Sequence, residues 1–282
     1  MLRDTTTQRR ERLAALVTER GFLRVGDASV LLGVSEVTVR GDLSALEADL
    51  AVVRVHGGAI PGGGTGTNGG TGGTVVPPEP SLEQASALDA ETKRAIGVRA
   101  ASLVSSGQSV ILDVGSTALA VAEALVQRED LLDVLVITNG LTIALALEPA
   151  LPRFTVVVTG GTLRPLQHSL VNPSATTMLE SIHADIAFIG CNGIDPVHGV
   201  TNLNYPEAEV KRRMLQSSER HILIADGSKL GQAHLGVVGA VDDFHQLVTG
   251  GVLPAGLATS LAARGIEVIV ADAVPGGDHT MG

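Results

Sequence analysis

The amino-acid sequence predicts an α/β chain in two parts. A winged helix-turn-helix is expected over residues 1–60, and a larger α/β domain with a mostly parallel sheet over residues 81–282. Three observations predict it. Helical stretches in residues 8–20, 27–32 and 35–50 lead into a short β run with a Gly-Gly turn. Residues 61–80 (PGGGTGTNGGTGGTVVPPEP) are of low complexity, cannot bury a core, and read as a linker whose Gly-Thr half spans on the order of 20 Å. Beyond it, continuous apolar strand runs alternate with helical stretches, as in a parallel sheet covered on both faces.

In the first part, Leu13, Leu16 and Val17 mark the inner side of the first helix, and Gly21 stands where a C′ stop is expected. Gly33-Val34 turns the chain into VSEVTVRGDLSALEADL. There Ser35 reads as the N-cap and Val34 with Val39 as a hydrophobic staple. Val39, Leu43, Leu46 and Leu50 form the buried stripe. The opposite face carries Val37, Gly41, Ser44 and Ala48, flanked by Thr38 and Arg40. That small, nearly acid-free face suits a helix lying in a DNA major groove, although an ordinary amphipathic surface helix has the same periodicity. The β run AVVRVHGGAI then resembles a wing, with Arg54 and His56 able to reach the nucleic-acid backbone or minor groove. The candidate DNA contacts are therefore Ser35, Val37, Thr38, Arg40, Ser44, Arg54 and His56.

Composition restricts the function. At 282 residues and 44% hydrophobic content the chain can bury a full core. The absence of Trp argues against stacking platforms for single strands. No run of about eighteen apolar residues occurs and the N-terminus is polar, so neither a membrane span nor a leader is expected. A single cysteine, Cys191, fits a reducing, cytoplasmic setting. The formal net charge of −10 speaks against non-specific DNA binding by the whole chain. Residues 1–60, however, balance eight arginines against eight acids, so a DNA reader here would rely on placed arginines and on paired copies. The eight histidines make no metal-ligand spacing, and no metal or other cofactor is expected.

In the larger domain, strands are expected at 109–113, 135–138, 154–159, 186–190, 221–225, 247–249 and 267–270, with helices at 90–105, 119–127 and 141–147. The distinctive polar clusters follow strand ends: Asp113 with Gly115-Ser116-Thr117, Thr138-Asn139, Gly160-Gly161 with Arg164, Asn192-Gly193, and Asp226 with Lys229. Open α/β sheets bind ligands beyond the carboxyl ends of their strands. Gly-Ser-Thr leading into a helix offers amides, hydroxyls and a positive helix end that suit a phosphate, and Arg164 and Lys229 would add cationic contacts.

Two sets of motifs carry a resemblance to a known family. VSEVTVRGDLSALE followed by RVHGGA is similar to the N-terminal winged helix of DeoR-family bacterial transcriptional regulators. It departs from the family at Gly41, where a second arginine is usual; the change removes a cation and costs about 1 kcal/mol of helix propensity. DVGSTALAVAEAL, VITNGLTIA, VVVTGGTLR, IGCNGI, YPEAEVKRRM and ADGSKLG resemble, in order, the family's effector domain, a relative of the ribose-5-phosphate isomerase and CoA-transferase fold. The resemblance implies a regulator, most often a repressor of carbohydrate genes. It also implies a double-stranded operator, a phosphorylated sugar effector, and a dimeric or tetrameric homo-oligomer. It places Glu207 and Lys211 near the effector.

Each candidate has a plainer alternative. Ser116 and Thr117 would contact phosphate or merely cap the next helix. Glu207 and Lys211, at i and i+4, would otherwise be a solvated pair. Asp226 and Lys229 would bracket a turn, and Arg164 would be a surface cation. Cys191 has no partner at a nucleophile's spacing. The competing function is a sugar-phosphate isomerase or deaminase-like enzyme with an appended DNA module, using Asp113, Glu207, Asp226 and Lys229 for acid–base work.

Overall fold

In the computed structural model the described residues are 6–20, 23–48, 52–55, 58–61, 79–251 and 256–271. They form two compact units that divide between Pro78 and Glu79. The expected linker is thus trimmed at both ends: Pro61 closes a strand, and Glu79 and Pro80 belong to the second unit.

The first unit has helices Thr6–Arg20, Val25–Leu32 and Glu36–Ala48. A three-stranded antiparallel sheet accompanies them, in the order Leu23–Arg24, Gly58–Pro61, Val52–Val55. The first two helices begin two residues earlier than expected. Leu13, Val17, Val39, Leu43 and Leu46 are buried together with Leu23, Val52 and Ala59, and Leu16 and Val34 pack against them. Gly21, Leu50 and His56 lie outside the described residues, as does the side chain of Arg54, whose backbone pairs with Ala59.

The second unit is built on seven parallel strands. In spatial order they are Glu267–Val270, Gln246–Gly250, Ser218–Asp226, Ala184–Gly190, Ser109–Leu112, Val134–Thr138 and Phe154–Val158. All seven match expected strands. The chain enters at Ser109–Leu112, winds outward to Phe154–Val158, returns to Ala184–Gly190 beside its starting point, and then winds out the other way. The direction of winding therefore switches between Ser109–Leu112 and Ala184–Gly190, and such a switch opens a crevice at the strands' carboxyl ends.

Apolar side chains on the two faces of this sheet form two separate cores, one around Leu112, Val136, Phe188 and Ile224, the other around Ile111, Ile189, Leu223 and Leu247. Helices Ala90–Ala101 and Ser116–Val126 pack against the first. Their approach is close: a Cβ on Gly97 would lie 2.4 Å from the Ala120 carbonyl oxygen, so only glycine fits. Helix Tyr205–Gln216 packs on the second core. The helix expected at 90–105 stops at Ala101, because Ser102 and the Ser105-Ser106-Gly107 turn cannot extend it. Two small sheets escaped the sequence reading: the hairpin Thr162–Arg164 with Ser169–Val171, and the sheet of Gly193–Asp195, Gly199–Asn202 and Gly236–Gly239. Their strands are too short to show a period.

Candidate functional site

A cavity of about 120 Å³ lies at the winding switch. Its lining includes Val114, Gly115, Ser116 and Thr117 from one strand end, Gly190, Cys191 and Asn192 from the neighbouring one, and Asp226, Ser228 and Lys229 from the next. Glu207 and Lys211 of helix Tyr205–Gln216 and Lys93 of helix Ala90–Ala101 close the sides. Three of the five expected strand ends therefore converge.

Helix Ser116–Val126 starts three residues earlier than expected, and this decides how Ser116 and Thr117 are used. The N-cap is Gly115, at φ 105°, where a side chain would be strained, and no side chain caps the helix. Ser116 and Thr117 are the first two helical residues, so they are not caps. Their amides have no intrahelical acceptor, and the positive end of an eleven-residue helix opens onto the cavity.

The ionic side chains form two buried groups. Lys211, 3% exposed, donates to Asp113 Oδ2, which also accepts from the Gly190 amide at 2.8 Å. Burial opposes the charge on Lys211, but the carboxylates of Asp113 and Glu207 outweigh it and hold its pKa above the ordinary lysine value. Glu207, also 3% exposed, accepts from Arg164 Nη1 and from Ser169 Oγ, each at 2.6 Å, and from Asn202 Nδ2 at 3.3 Å. Glu207 and Lys211 are thus neither solvated nor paired with each other. Arg164 is not a surface cation: its guanidinium is held by Glu207 and Glu79.

Asp226 uses Oδ1 to accept from the Ser228 amide at 2.9 Å and from the Ser228 hydroxyl. Its buried Oδ2 has no hydrogen-bond partner among the described residues, the Lys93 ammonium being 3.8 Å away. That oxygen is ready to accept from a ligand hydroxyl. Lys229 lines the cavity, and its ammonium makes no hydrogen bond or ion pair among the described residues.

The remaining candidates lie elsewhere. Thr138 Oγ1 accepts from the Gly140 amide at 3.0 Å, holding a local turn, and Asn139 Nδ2 donates to the Leu170 carbonyl at 3.0 Å, fastening the strand end to the hairpin; both side chains are buried outside the cavity lining. Gly160 and Gly161 have positive φ, and a Cβ on Gly161 would lie 2.2 Å from the Val171 carbonyl oxygen, so they shape the hairpin. Gly193 sits under Gln232, also outside the lining. Asn192 lines the cavity but spends its Oδ1 on the Leu203 amide at 2.9 Å. Lys93, Glu79 and Ser228 line it and escaped the sequence reading. Only Ser228 had a signal, its place in ADGSKLG. Burial pushes the Cys191 thiol up to about 12, so it stays protonated and un-nucleophilic.

On helix Glu36–Ala48, Val37, Arg40, Gly41 and Ser44 are exposed, as the wheel requires, and Thr38 is half-buried. Ser35 Oγ accepts from the Thr38 amide at 3.2 Å, which confirms the cap, and meets Thr38 Oγ1 at 2.9 Å. Arg40 reaches Glu36 at 2.7 Å, and Ser44 Oγ donates to the Arg40 carbonyl at 2.9 Å. Beneath this face the buried Asp42 accepts from Arg9 at 2.6 Å and Arg10 at 3.0 Å, tying the first helix to the third.

Comparison with known proteins follows the same division. A DeoR-like helix-turn-helix domain matches residues 9–61, and the DeoR C terminal sensor domain matches residues 88–251. The chain belongs to the DeoR family. Among family proteins, one designated a repressor of the aga operon in Escherichia coli O157:H7 is 34% identical over 94% of each chain. The HTH-type regulator GlpR of Haloferax volcanii is 32% identical over 93% of this chain and 96% of its own. The HTH-type repressor CsqR of Escherichia coli K12 is 30% identical over 94% and 96%. Among solved structures, ribose 5-phosphate isomerase from Plasmodium falciparum is 22% identical with a TM-score of 0.37, covering 51% of this chain and 53% of that one. A sor operon regulator from Shigella flexneri is 14% identical with a TM-score of 0.41, covering 61% and 88%. Among the described residues, no helix of this DeoR-family chain is long and apolar enough to cross a membrane.

Proposed function

We propose that this protein represses transcription by binding duplex DNA as a homo-oligomer, and that a phosphorylated sugar in the switch-point cavity modulates that binding. The observation that carries the effector half is the pairing of two features across one small cavity. One is the uncapped start of helix Ser116–Val126; the other is Asp226 Oδ2, which accepts no hydrogen bond among the described residues and lies 3.8 Å from the Lys93 ammonium. Free amides, two hydroxyls and a positive helix end suit a phosphate, and the carboxylate oxygen suits a sugar hydroxyl. The DNA half is supported by the exposed Val37, Arg40 and Ser44 face and by relatives named as transcriptional repressors. A near-neutral reader gains affinity by presenting two copies to repeated half-sites.

The isomerase-like reading needs free acids and bases. Two of its four groups are not free, Asp113 being locked to Lys211 and Glu207 to Arg164, which leaves that reading only Asp226 and Lys229.

The test is fluorescence anisotropy of a duplex that the protein selects from a randomised pool, titrated with a set of phosphorylated sugars and their unphosphorylated counterparts. At least one phosphorylated sugar is expected to change DNA affinity by about tenfold, a coupling of about 1.4 kcal/mol. If none does, effector control is wrong even where DNA binding holds.

A further inference from the structure

The cavity wall includes a segment that the effector reading leaves unused. Residues 79–89 run along it as a strap, and Glu79, Pro80, Ala85, Leu88 and Asp89 face the cavity. The strap is fastened at several points. Gln167 Nε2 donates to the Pro80 carbonyl at 2.7 Å. Ser81 and Gln84 form a capping box on helix Leu82–Ala87, whose Leu82 is buried. The Lys93 ammonium donates to the carbonyls of Ala85, at 2.9 Å, and of Leu88. At its start, both carboxylate oxygens of Glu79 accept from the Arg164 guanidinium.

This last contact conflicts with the ligand expected in the cavity. Among the lining residues, the carboxylates of Glu79, Asp89, Glu207 and Asp226 outnumber the ammonium groups of Lys93, Lys211 and Lys229. A phosphate, doubly charged near neutral pH, enters against that excess. The Arg164 guanidinium stands behind the lining residues Glu79 and Glu207 and is already occupied, bidentately, by Glu79, a carboxylate whose geometry imitates a phosphate edge. Burial and the neighbouring Glu207 carboxylate push the Glu79 pKa up, so its charged form is the less comfortable partner. Glu79 is also the residue at which the chain from the helix-turn-helix unit enters the second unit.

The geometry points to Glu79 as an internal competitor of the effector: it occupies the Arg164 guanidinium until an anionic ligand takes its place, and the strap is then released. The inference rests on the cavity being the effector site. It gives the cavity a direct mechanical link to the chain that joins the two units.

The test is calorimetric titration of the intact protein and of Glu79→Gln and Glu79→Asp with inorganic phosphate and ribose 5-phosphate. Both variants are expected to bind about tenfold more tightly, equivalent to about 1.4 kcal/mol, because aspartate keeps the charge but is one methylene too short to hold the guanidinium. Equal affinity in all three proteins overturns the competition. So does tightening confined to Glu79→Gln, which would leave only the charge of Glu79 at work. Hydrogen exchange on the unsubstituted protein gives the second readout: saturating ribose 5-phosphate is expected to deprotect the amides of 81–88 while protecting those of 116–119. A strap that keeps its protection while the ligand binds overturns the release. If neither ligand binds any of the three proteins at millimolar concentration, the reading of the cavity as a phosphate site falls and the inference with it.

Discussion

Single side chains in this protein are decided by burial before chemistry. Lys211 sits in the cavity wall as half of a buried ion pair, so removing it leaves the Asp113 carboxylate buried and uncompensated. Lys211→Ala should therefore cost about 3 to 5 kcal/mol in urea unfolding of the second unit, and adding Asp113→Ala should recover part of that loss. A cost below about 1 kcal/mol would mean the pair is solvated. Gly41 behaves oppositely: nothing lies within 4 Å of a Cβ placed there. Gly41→Arg should stabilise helix Glu36–Ala48 by roughly 0.5–1 kcal/mol, and each phosphate contact it gains should steepen the salt dependence of duplex binding by about 0.9. An unchanged slope would place position 41 away from the DNA backbone. The residue types of the site were readable in advance, because Gly-Ser-Thr and Asp-Gly-Ser-Lys announce turns and anion chemistry. Their partners were not. Glu207 and Lys211 suggest each other by spacing, yet each is claimed by a residue distant in sequence, Arg164 and Asp113.

Elements explain which strand ends matter. Apolar continuity located all seven parallel strands, since a strand buried on both faces writes itself as an uninterrupted run. Spatial order was not written there, and it separates Thr138, Asn139, Gly160 and Gly161 from the cavity: their strands lie toward one edge, beyond the winding switch. Helix placement is set by close packing. Gly97→Ala pushes a methyl into the Ala120 carbonyl and should destabilise the second unit by about 1–3 kcal/mol in thermal unfolding. It should also weaken binding of a phosphorylated sugar, by moving the helix whose first turn is the proposed anion site. Intact stability and affinity would refute that packing. In the first unit, burial pushes the Asp42 carboxyl up, but Arg9 and Arg10 prevail and hold it below its ordinary 3.8. A depressed folded-state pKa adds stability above that ordinary value, and the gain is lost as pH falls through the depressed one. Hydrogen exchange within residues 9–46, corrected for intrinsic rates, should lose protection as pH drops below 3.8. In Asp42→Asn protection should be lower at neutral pH and respond less to acid. An identical acid response in the variant would exclude this anchor.

At the scale of the whole chain there are two units, and the sequence announces both: a near-neutral helix-turn-helix with a bare helix face, and an α/β unit with a polar crater. What the sequence concealed is the boundary between them. Residues 61–80 have the composition of a single linker, but Glu79 and Pro80 are bound by Arg164 and Gln167 and belong to the second unit. The account stands on the start of helix Ser116–Val126 being an anion site. Its most direct measurement is calorimetric titration with a phosphorylated sugar that alters duplex binding and with its unphosphorylated counterpart, on the unsubstituted protein and on Thr117→Glu, which places a carboxylate at the amides meant for phosphate. The account predicts that the unphosphorylated sugar binds the unsubstituted protein at least a hundredfold more weakly, a loss of about 2.7 kcal/mol, and that Thr117→Glu abolishes binding of the phosphorylated one. Equal binding of the two sugars, or full retention of the phosphorylated sugar by the variant, would contradict it.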